Sequence, residues 1–444
     1  MKKKILLGLA ILSLLFSCQK ESQRDVGNEL QSKTVPSTPK ASHVSAAVAI
    51  DWYKLQLRFL LERNSTLNGA YFGYIGIGLY ESVRYGIQNS VSLSTKLNQM
   101  PQMPARENNN GYDWQVSANA AMAAMLRSFN TGLTAANLAS IDSLEKAYNE
   151  KLFGDDSDSG SFKRSQAFGR SVAAAMHDWF LTDKLDLSNT GYVPPVFPGA
   201  WVPTPPAFGP PINTYFATGR TFLSADQNIV APPFPAPYSE TVNSDFYSIV
   251  KIDYDVSKTL TTDQKNIALF WVDQGNGIGY TPNGHELALT TEALEQTHAS
   301  LAVAAEAYAK VTIAERDALI VVFKSKYVYN LLRPVTYIRK VIDPTWLPLI
   351  PTPSHPEYPA AHSMITGAAM QALERVLGSN IPVTDHTYDF RGYPSRTYAS
   401  ITDAGAEAGI SRLYGGIHYL PSINTGLSMG RDIGNRVGDI KLHE

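Results

Sequence analysis

Cysteine is almost missing from this chain. Cys18 is the only one in 444 residues, so no internal disulfide can form. Net charge is almost missing too: 38 Lys and Arg face 40 Asp and Glu, for a formal charge of -2. Such a balance gives no long-range field for nucleic acid or for an anionic membrane surface, and any basic cluster must be local. Beyond the first residues no run of roughly 18 apolar residues occurs, so no later segment is long enough to span a bilayer as a helix. There is no fixed-period repeat, and stretches with strand-like alternation are few. What remains is a chain with 44% hydrophobic residues, enough for one large domain or two ordinary ones.

Apolar residues recur with helical spacing through most of it. Ala46 to Ile87, Val116 to Arg127, Thr134 to Phe153, Ser165 to Thr182, Thr262 to Gln274, His362 to Leu377, Thr402 to Tyr414 and Leu420 to Leu442 all read as helices. One long helix is expected from Thr290 to about Leu332, ended by Pro334. Gly378 suits a helix stop, and Gly415-Gly416 breaks another. The expected fold class is all-α, with residues 46–444 as one domain of many packed helices. Residues 191–238 differ in character. Twelve prolines there exclude regular helix and central strand, while Trp201, Phe208, Tyr215 and Phe234 argue for an ordered wrap over the helical body, with room to form one wall of a pocket. Residues 19–45 are rich in Ser, Gln, Lys, Glu and Pro and read as a flexible tether.

The start of the chain has Lys2, Lys3 and Lys4, an apolar run from Ile5 to Phe16, and then Ser17-Cys18. It resembles a bacterial lipoprotein signal over residues 1–18. That resemblance implies lipidation of Cys18 and a lipid-anchored place in the cell envelope, on a periplasmic or outer-membrane face. An ordinary secretory signal with an incidental cysteine is the alternative, and Phe16 is bulky for its place in a lipoprotein signal.

Three short segments in the last third carry chemistry. They are Lys326-(six residues)-Arg333-Pro334, Pro359-Ala360-Ala361-His362, and Ser411-Arg412-(five residues)-His418. Three cations can give charge-assisted hydrogen bonds to several oxygens of one tetrahedral anion. Two histidines add a nucleophile or ligand and a proton donor. Lys326 and Arg333 are seven apart, which on one helix returns to the same face. The break at Gly415-Gly416 lets His418 turn back toward Arg412. If His362 opens a helix, backbone N–H groups there, Ala361 included, face an anion. The bland readings are a solvated basic face for Lys324 to Lys340, a core histidine for His418 and a surface-loop histidine for His355.

The order and spacing of these segments resemble the vanadium-dependent haloperoxidase and type-2 phosphatidic acid phosphatase superfamily, whose pattern is Lys-x6-Arg-Pro, Pro-Ser-Gly-His and Ser-Arg-x5-His. The stretches Pro198 to Pro206, Phe270 to Asp273 and Thr281 to His285 resemble its soluble haloperoxidase branch. Two segments match in full. In the third, Ala360 and Ala361 stand where the family has Ser and Gly, which removes one hydroxyl donor worth on the order of 1–3 kcal/mol. The resemblance implies vanadate as cofactor, with phosphate able to occupy the same site. His418 would be its axial ligand, Lys326, Arg333, Ala361 and Arg412 would bind its oxygens, and His362 would manage protons. Asp273 would pair with the site's Arg and His, and His355 and His285 would line the halide or substrate pocket. The expected reaction is oxidation of bromide or iodide by hydrogen peroxide. Two alternatives stay open: an acid phosphatase working through a phosphohistidine on His418, and a non-catalytic surface lipoprotein that binds an oxyanion. The partners expected are small molecules and, through the N-terminal lipid alone, a membrane.

Overall fold

The computed structural model describes residues 40–443 apart from 63–70, 108–110, 131, 155–158, 187 and 274–278. The Cys18 signal and nearly all of the 19–45 tether therefore lie outside the described residues. Among those described, thirteen α-helices accompany a single two-stranded antiparallel ribbon, so the fold is all-α. No described helix is long and apolar enough to cross a membrane.

The first group of helices is α1 (Ala47–Glu62), α2 (Phe72–Val83), α3 (Trp114–Phe129), α4 (Ala135–Phe153) and α5 (Gly160–Leu181). The second group is α6 (Asp245–Thr259), α7 (Thr262–Phe270), α8 (Pro282–Gln296), α9 (Leu301–Tyr329), α10 (Pro334–Val341), α11 (Ala361–Leu377), α12 (Ile401–Tyr414) and α13 (Leu420–Gly438). Strands β1 (Val383–Asp385) and β2 (Arg396–Tyr398) form the ribbon between α11 and α12. Local chemistry sets many of the helix starts. Thr134, Ser159, Ser244, Thr281 and Ser300 each accept a backbone N–H at an N-cap, and Thr261 and Ser400 complete capping boxes with Gln264 and Asp403.

The single helix expected from Thr290 to Leu332 is two helices, α8 and α9. His298 takes a left-handed backbone (φ 50°) between them, and Ser300 caps the second. The same helix also stops earlier than expected. Asn330 adopts the left-handed conformation (φ 47°, ψ 37°) that ends α9, so Arg333 lies outside it, as the residue before Pro334 at the start of α10.

α9 is buried on all sides, with polar residues Glu315, Arg316, Asp317 and Lys326 inside as well. It packs against α2 and α11, and α11 in turn lies against α12 and α13. The α11–α13 contact is unusually close because α13 presents Gly426, Gly430, Gly434 and Gly438 at four-residue spacing. A Cβ on Gly430 would sit 2.3 Å from the Met364 carbonyl oxygen, and one on Gly426 would sit 2.6 Å from that of Ala360. This packing seats the first turn of α11, which carries His362.

The proline-rich segment has only short 3-10 turns, at Phe216–Thr218 and Ser224–Asp226. Its backbone is fastened to the end of α9 and to the loop before α11: Trp201 N donates to the Asn330 carbonyl (2.6 Å), Ile212 N to that of Ser354 (3.0 Å), and the Tyr358 hydroxyl to that of Pro232 (2.7 Å).

Gly430→Ala should lower stability by about 1–3 kcal/mol, the usual cost of forcing extra volume into a packed contact, read as a shift of the urea midpoint. An unchanged midpoint would mean that the two helices part freely and that their contact does not hold α11 in place.

Candidate active site

The site forms where four parts of the chain meet: the end of α9, the loop 353–357, the first turn of α11 and the turn after α12. Lys326 comes from the last turn of α9. It is fully buried, and its Nζ donates to the carbonyls of Pro356 (3.0 Å) and Glu357 (2.8 Å). Arg333 reaches in from the α9–α10 junction. Its Nε donates to the His355 carbonyl (2.9 Å) and one terminal nitrogen to the Ile417 carbonyl (2.8 Å). Arg412, in the last turn of α12, donates to the Ser411 hydroxyl (3.0 Å) and to the Trp271 carbonyl. The two cations expected on one helix face thus approach from two elements.

α12 ends at Tyr414, and Gly416 takes a left-handed backbone (φ 74°) where a Cβ would press on Trp346. The chain reverses there and brings His418 to Arg333. One Arg333 terminal nitrogen is 3.0 Å from His418 Nε2. A guanidinium has no acceptor, so Nε2 must carry the lone pair and Nδ1 the proton. That Nδ1–H is held by Glu357 Oε1 at 2.7 Å. Glu357 also accepts the Tyr419 N–H at 3.0 Å, which fixes it in turn. Burial and the neighbouring cations Arg333 and Lys326 hold the His418 pKa well below the ordinary histidine value. The ring is neutral, and its unprotonated Nε2 accepts from Arg333.

The same logic sets His355. The other terminal nitrogen of Arg333 is 3.0 Å from its Nδ1, which therefore accepts. The Pro356 carbonyl, 3.2 Å from the same atom, is then a close neighbour and not a partner. Burial, Lys326 and Arg333 push the His355 pKa well down, so the ring is neutral and its Nε2–H is left to the cavity that the residue lines.

His362 is the second residue of α11, after Ala360, whose side chain makes no cap, and Ala361, which lines the cavity beside it. Its Nε2 lies between an Arg412 terminal nitrogen (3.4 Å) and Asp273 Oδ2 (3.5 Å). Unprotonated, it accepts from Arg412; protonated, it donates to Asp273. Burial and then Arg412 bring its pKa down to about 4 against the pull of Asp273. Asp273, at a left-handed backbone position (φ 42°), also accepts from the Tyr388 hydroxyl (2.6 Å) and from His285 Nδ1 (2.9 Å). Burial would raise its pKa, but His285 and His362 outweigh that and leave it lowered.

His285 is a correction to the expected pocket residues. It is fully buried behind Asp273, with Nε2 bound to Asp385 (2.9 Å) and its ring stacked on Trp271 (centroids 4.2 Å apart). Burial alone would lower its pKa. The two carboxylates more than offset this and raise it well above the ordinary value, so it is an imidazolium that holds Asp273 from behind.

Three supporting residues went unnoticed in the sequence. Glu357 stands inside the His355-Pro-Glu-Tyr-Pro stretch, where a lone carboxylate among prolines and aromatics was the available signal. Asp385 and Tyr388 had no such signal, because only the ribbon between α11 and α12 brings them to the site.

The histidines open onto a cavity of about 290 Å³. Asp273, His355, His362 and His418 line it together with Ile212 and Phe216 from the proline-rich segment, Leu319 and Phe323 from α9, and Ile365 from α11. Such a place can hold an oxyanion. Lys326, Arg333 and Arg412 are all buried, while the carboxylates beside them are Glu357 and an Asp273 already shared with protonated His285. Burial brings the pKa of both arginines down to about 10, as expected of cations short of a counter-charge.

Fold and site together define an all-helical scaffold with a buried, cationic oxyanion cradle. The family described as VCPO second helical-bundle domain matches residues 306–442. The crystal structure of a bacterial vanadium-dependent iodoperoxidase aligns with a TM-score of 0.76 at 29% identity, covering 89% of this chain and 96% of that one. The apo and holo forms of a bacterial vanadium-dependent chloroperoxidase share the fold at 16% identity, with TM-scores of 0.61 and 0.60, over 91% and 92% of this chain and 95% and 94% of theirs. No curated protein matches. The match over residues 306–442 and the alignment with the iodoperoxidase support the vanadium haloperoxidase superfamily.

The lowered pKa of His362 couples stability to pH. Its folded value, about 4, lies below its ordinary 6.5, so the unfolded chain binds the proton first. The stability this residue allows is full above pH 6.5 and is lost as pH falls toward 4. From pH 7.5 to 5 the wild type should therefore lose about 2 kcal/mol more than His362→Gln, measured by denaturant unfolding at both pH values. Equal losses would show that His362 is not kept neutral by the fold.

Proposed function

We propose that the protein is a vanadate-dependent haloperoxidase that oxidises iodide or bromide with hydrogen peroxide. The carrying observation is His418. Its Nδ1 is fixed by Glu357, and its Nε2 lone pair lies among buried cations at the end of a cavity with mainly apolar walls. Vanadate fits this donor set: Lys326, Arg333 and Arg412 would neutralise its oxygens, the N–H groups of the first α11 turn would add donors, and His418 Nε2 would ligate it. Bound there, it supplies Lewis-acid activation of peroxide.

The protein's own residues do the rest. Glu357 keeps His418 in the ligating tautomer. Neutral His362 takes a peroxide proton on Nε2, where Asp273 can stabilise it, and returns it when an oxygen leaves as water. His355 presents an N–H toward halide or peroxide. The apolar walls exclude water and favour a polarisable anion over the polar part of a phosphoester. The iodoperoxidase among the relatives is what makes iodide the first halide to try. Ala360 leaves one oxygen of the bound anion without a hydroxyl donor.

The same reading gives the N-terminus its role: Cys18 carries a lipid and anchors the enzyme to the cell envelope. Cys18→Ala should then move the protein from the membrane to the soluble fraction and abolish labelling by a fatty-acid probe. Persistent labelling would sink that part.

The protein with added vanadate should oxidise iodide in a peroxide-dependent way, and His418→Ala should not. Ala360→Ser should bind vanadate more tightly by about 1–3 kcal/mol, the worth of one restored hydrogen bond in a buried site. If no halide is oxidised but a phosphomonoester is hydrolysed, with His418→Ala inactive, the phosphohistidine reading replaces this one. Phosphate and vanadate binding with neither activity would make the protein a non-catalytic oxyanion binder.

A further inference from the structure

Behind the site, where α1, α8, α9 and α11 pack together, lie two carboxyl groups that the reaction described above does not use. Glu286 on α8 and Glu315 on α9 are each 1% exposed. Their hydrogen bonds are to neutral groups. The Thr366 hydroxyl, from α11, donates to Glu286 Oε1, and the Asn283 amide, from α8, donates to Glu315 Oε2 at 3.4 Å. Glu286 Oε2 and Glu315 Oε1 have no partner among the described residues. Asn283, Glu286 and Thr290 follow one another at three- and four-residue spacing, so they share one face of α8. The Thr290 hydroxyl on that face is also fully buried and unpartnered.

Two carboxylates so placed would be buried charges without a counter-ion, which is costly enough that they take up protons instead. The titratable groups that face Glu286 are Asp273 and His285; those that face Glu315 are Glu286 and Tyr53 of α1. The one positive neighbour, His285, is already held by Asp273 and Asp385. Burial therefore raises the pKa of both glutamates well above the ordinary value, and the charge of Glu286 adds to the shift at Glu315. The pair is also in touch with the site. Asn283 lines the same cavity as Asp273 and His362. Thr366, which holds Glu286, stands one turn beyond His362 on α11. A cavity of about 290 Å³ with these polar groups on its wall has room for water.

We propose that Glu286 and Glu315 form a proton store for the active site, and that the store passes a proton to His362 through cavity water aligned by Asn283. This rests on the haloperoxidase reading and names the source of a proton which that reaction consumes. Halide, hydrogen peroxide and one proton give hypohalous acid and water. The O–O bond breaks, and two electrons pass from halide to oxygen. Peroxide brings two protons, whereas hypohalous acid and water together hold three. The third comes from the store. The O–H bond of one carboxyl breaks with its electron pair left on oxygen, and an N–H bond forms at His362 Nε2. His362 then gives this proton to the oxygen that leaves as water. The other carboxyl stays protonated, because two adjacent buried charges repel. The carboxylate left behind is reprotonated from solvent by way of the cavity. Neither glutamate touches the reacting atoms; both are positioning residues that act through His362.

Glu286→Gln and Glu315→Gln test this, since each keeps the size and hydrogen bonding of the side chain but carries no acid proton. The first measurement uses the full-length protein without vanadate. Infrared difference spectra at neutral pH should show a protonated-carboxyl band in the wild type that each variant lacks. Titrating the wild-type band with pH reads the same groups without any substitution. The second uses the vanadate-loaded protein and follows iodide oxidation against pH. Above neutral pH each variant should lose about tenfold in kcat, a part of the 10²–10⁴ usual for general acid catalysis, with KM for iodide and for peroxide unchanged. The loss should shrink as pH falls, when solvent supplies the proton. Ionised-carboxylate bands in place of protonated ones, or wild-type pH profiles in both variants, would overturn the proposal. So would an equal loss at every pH, which marks a structural role. If the wild type oxidises no halide at any pH, the haloperoxidase reading itself fails and proton delivery fails with it; protonated-carboxyl bands would then mark a pair that serves the fold alone.

Discussion

Three buried basic side chains in one place are the constraint on which the rest of this structure depends. Lys326, Arg333 and Arg412 are removed from water; burial lowers the pKa of all three, that of Lys326 well below the ordinary lysine value, and Arg333 adds to the shift at Lys326 and at Arg412. An isolated buried charge costs several kcal/mol even after relaxation. The protein offsets that cost with oriented carbonyl dipoles and few full counter-charges. The loop 353–357 gives carbonyls to Lys326 and Arg333, the turn after α12 gives that of Ile417, and the end of α7 leads to that of Trp271. Carbonyls satisfy the hydrogen-bonding groups without cancelling the charge. The site therefore stays electropositive while remaining folded, as a cradle for an oxyanion requires.

Around this cluster the two histidines of the motif are given different roles by their carboxylates. His418 has Glu357 on Nδ1 and an unprotonated Nε2 that faces Arg333, an arrangement that suits a ligand or nucleophile. His362 has Asp273 and Arg412 on the same nitrogen, which lets one atom hold or release a proton at little geometric cost. Asp273 is itself fixed by an imidazolium, His285, and by Tyr388. The negative charge that faces His362 is thus partly spoken for by positive charge behind it. Burial first, then Arg412, and to a smaller degree His285 keep His362 at a pKa of about 4 against the pull of Asp273.

The close packing of α13 on α11 and the proline-rich segment serve the same end from outside. The glycines of α13 let α11 approach, which places His362 at the edge of the cavity. The proline-rich segment closes the cavity with Ile212 and Phe216. A chain of many prolines and aromatics is well suited to this. It cannot form helix, so it follows the surface, and its large side chains supply the wall.

The sequence by itself determined the helical fold, because apolar periodicity and helix caps are local, and it determined the chemical type of the site, because residue identity and spacing survive without coordinates. It placed helix ends within a few residues at Gly378 and Gly415 for the same reason. Only the tertiary structure decided how the cations converge. The seven-residue spacing of Lys326 and Arg333 suggested one helix, but the left-handed Asn330 ends α9 between them. Only the tertiary structure moved His285 out of the pocket and brought Asp385 and Tyr388 to it, since these contacts join residues roughly a hundred positions apart. The protonation of each histidine was decided there as well. It depends on burial and on which charge faces which nitrogen, and neither exists until the chain has folded.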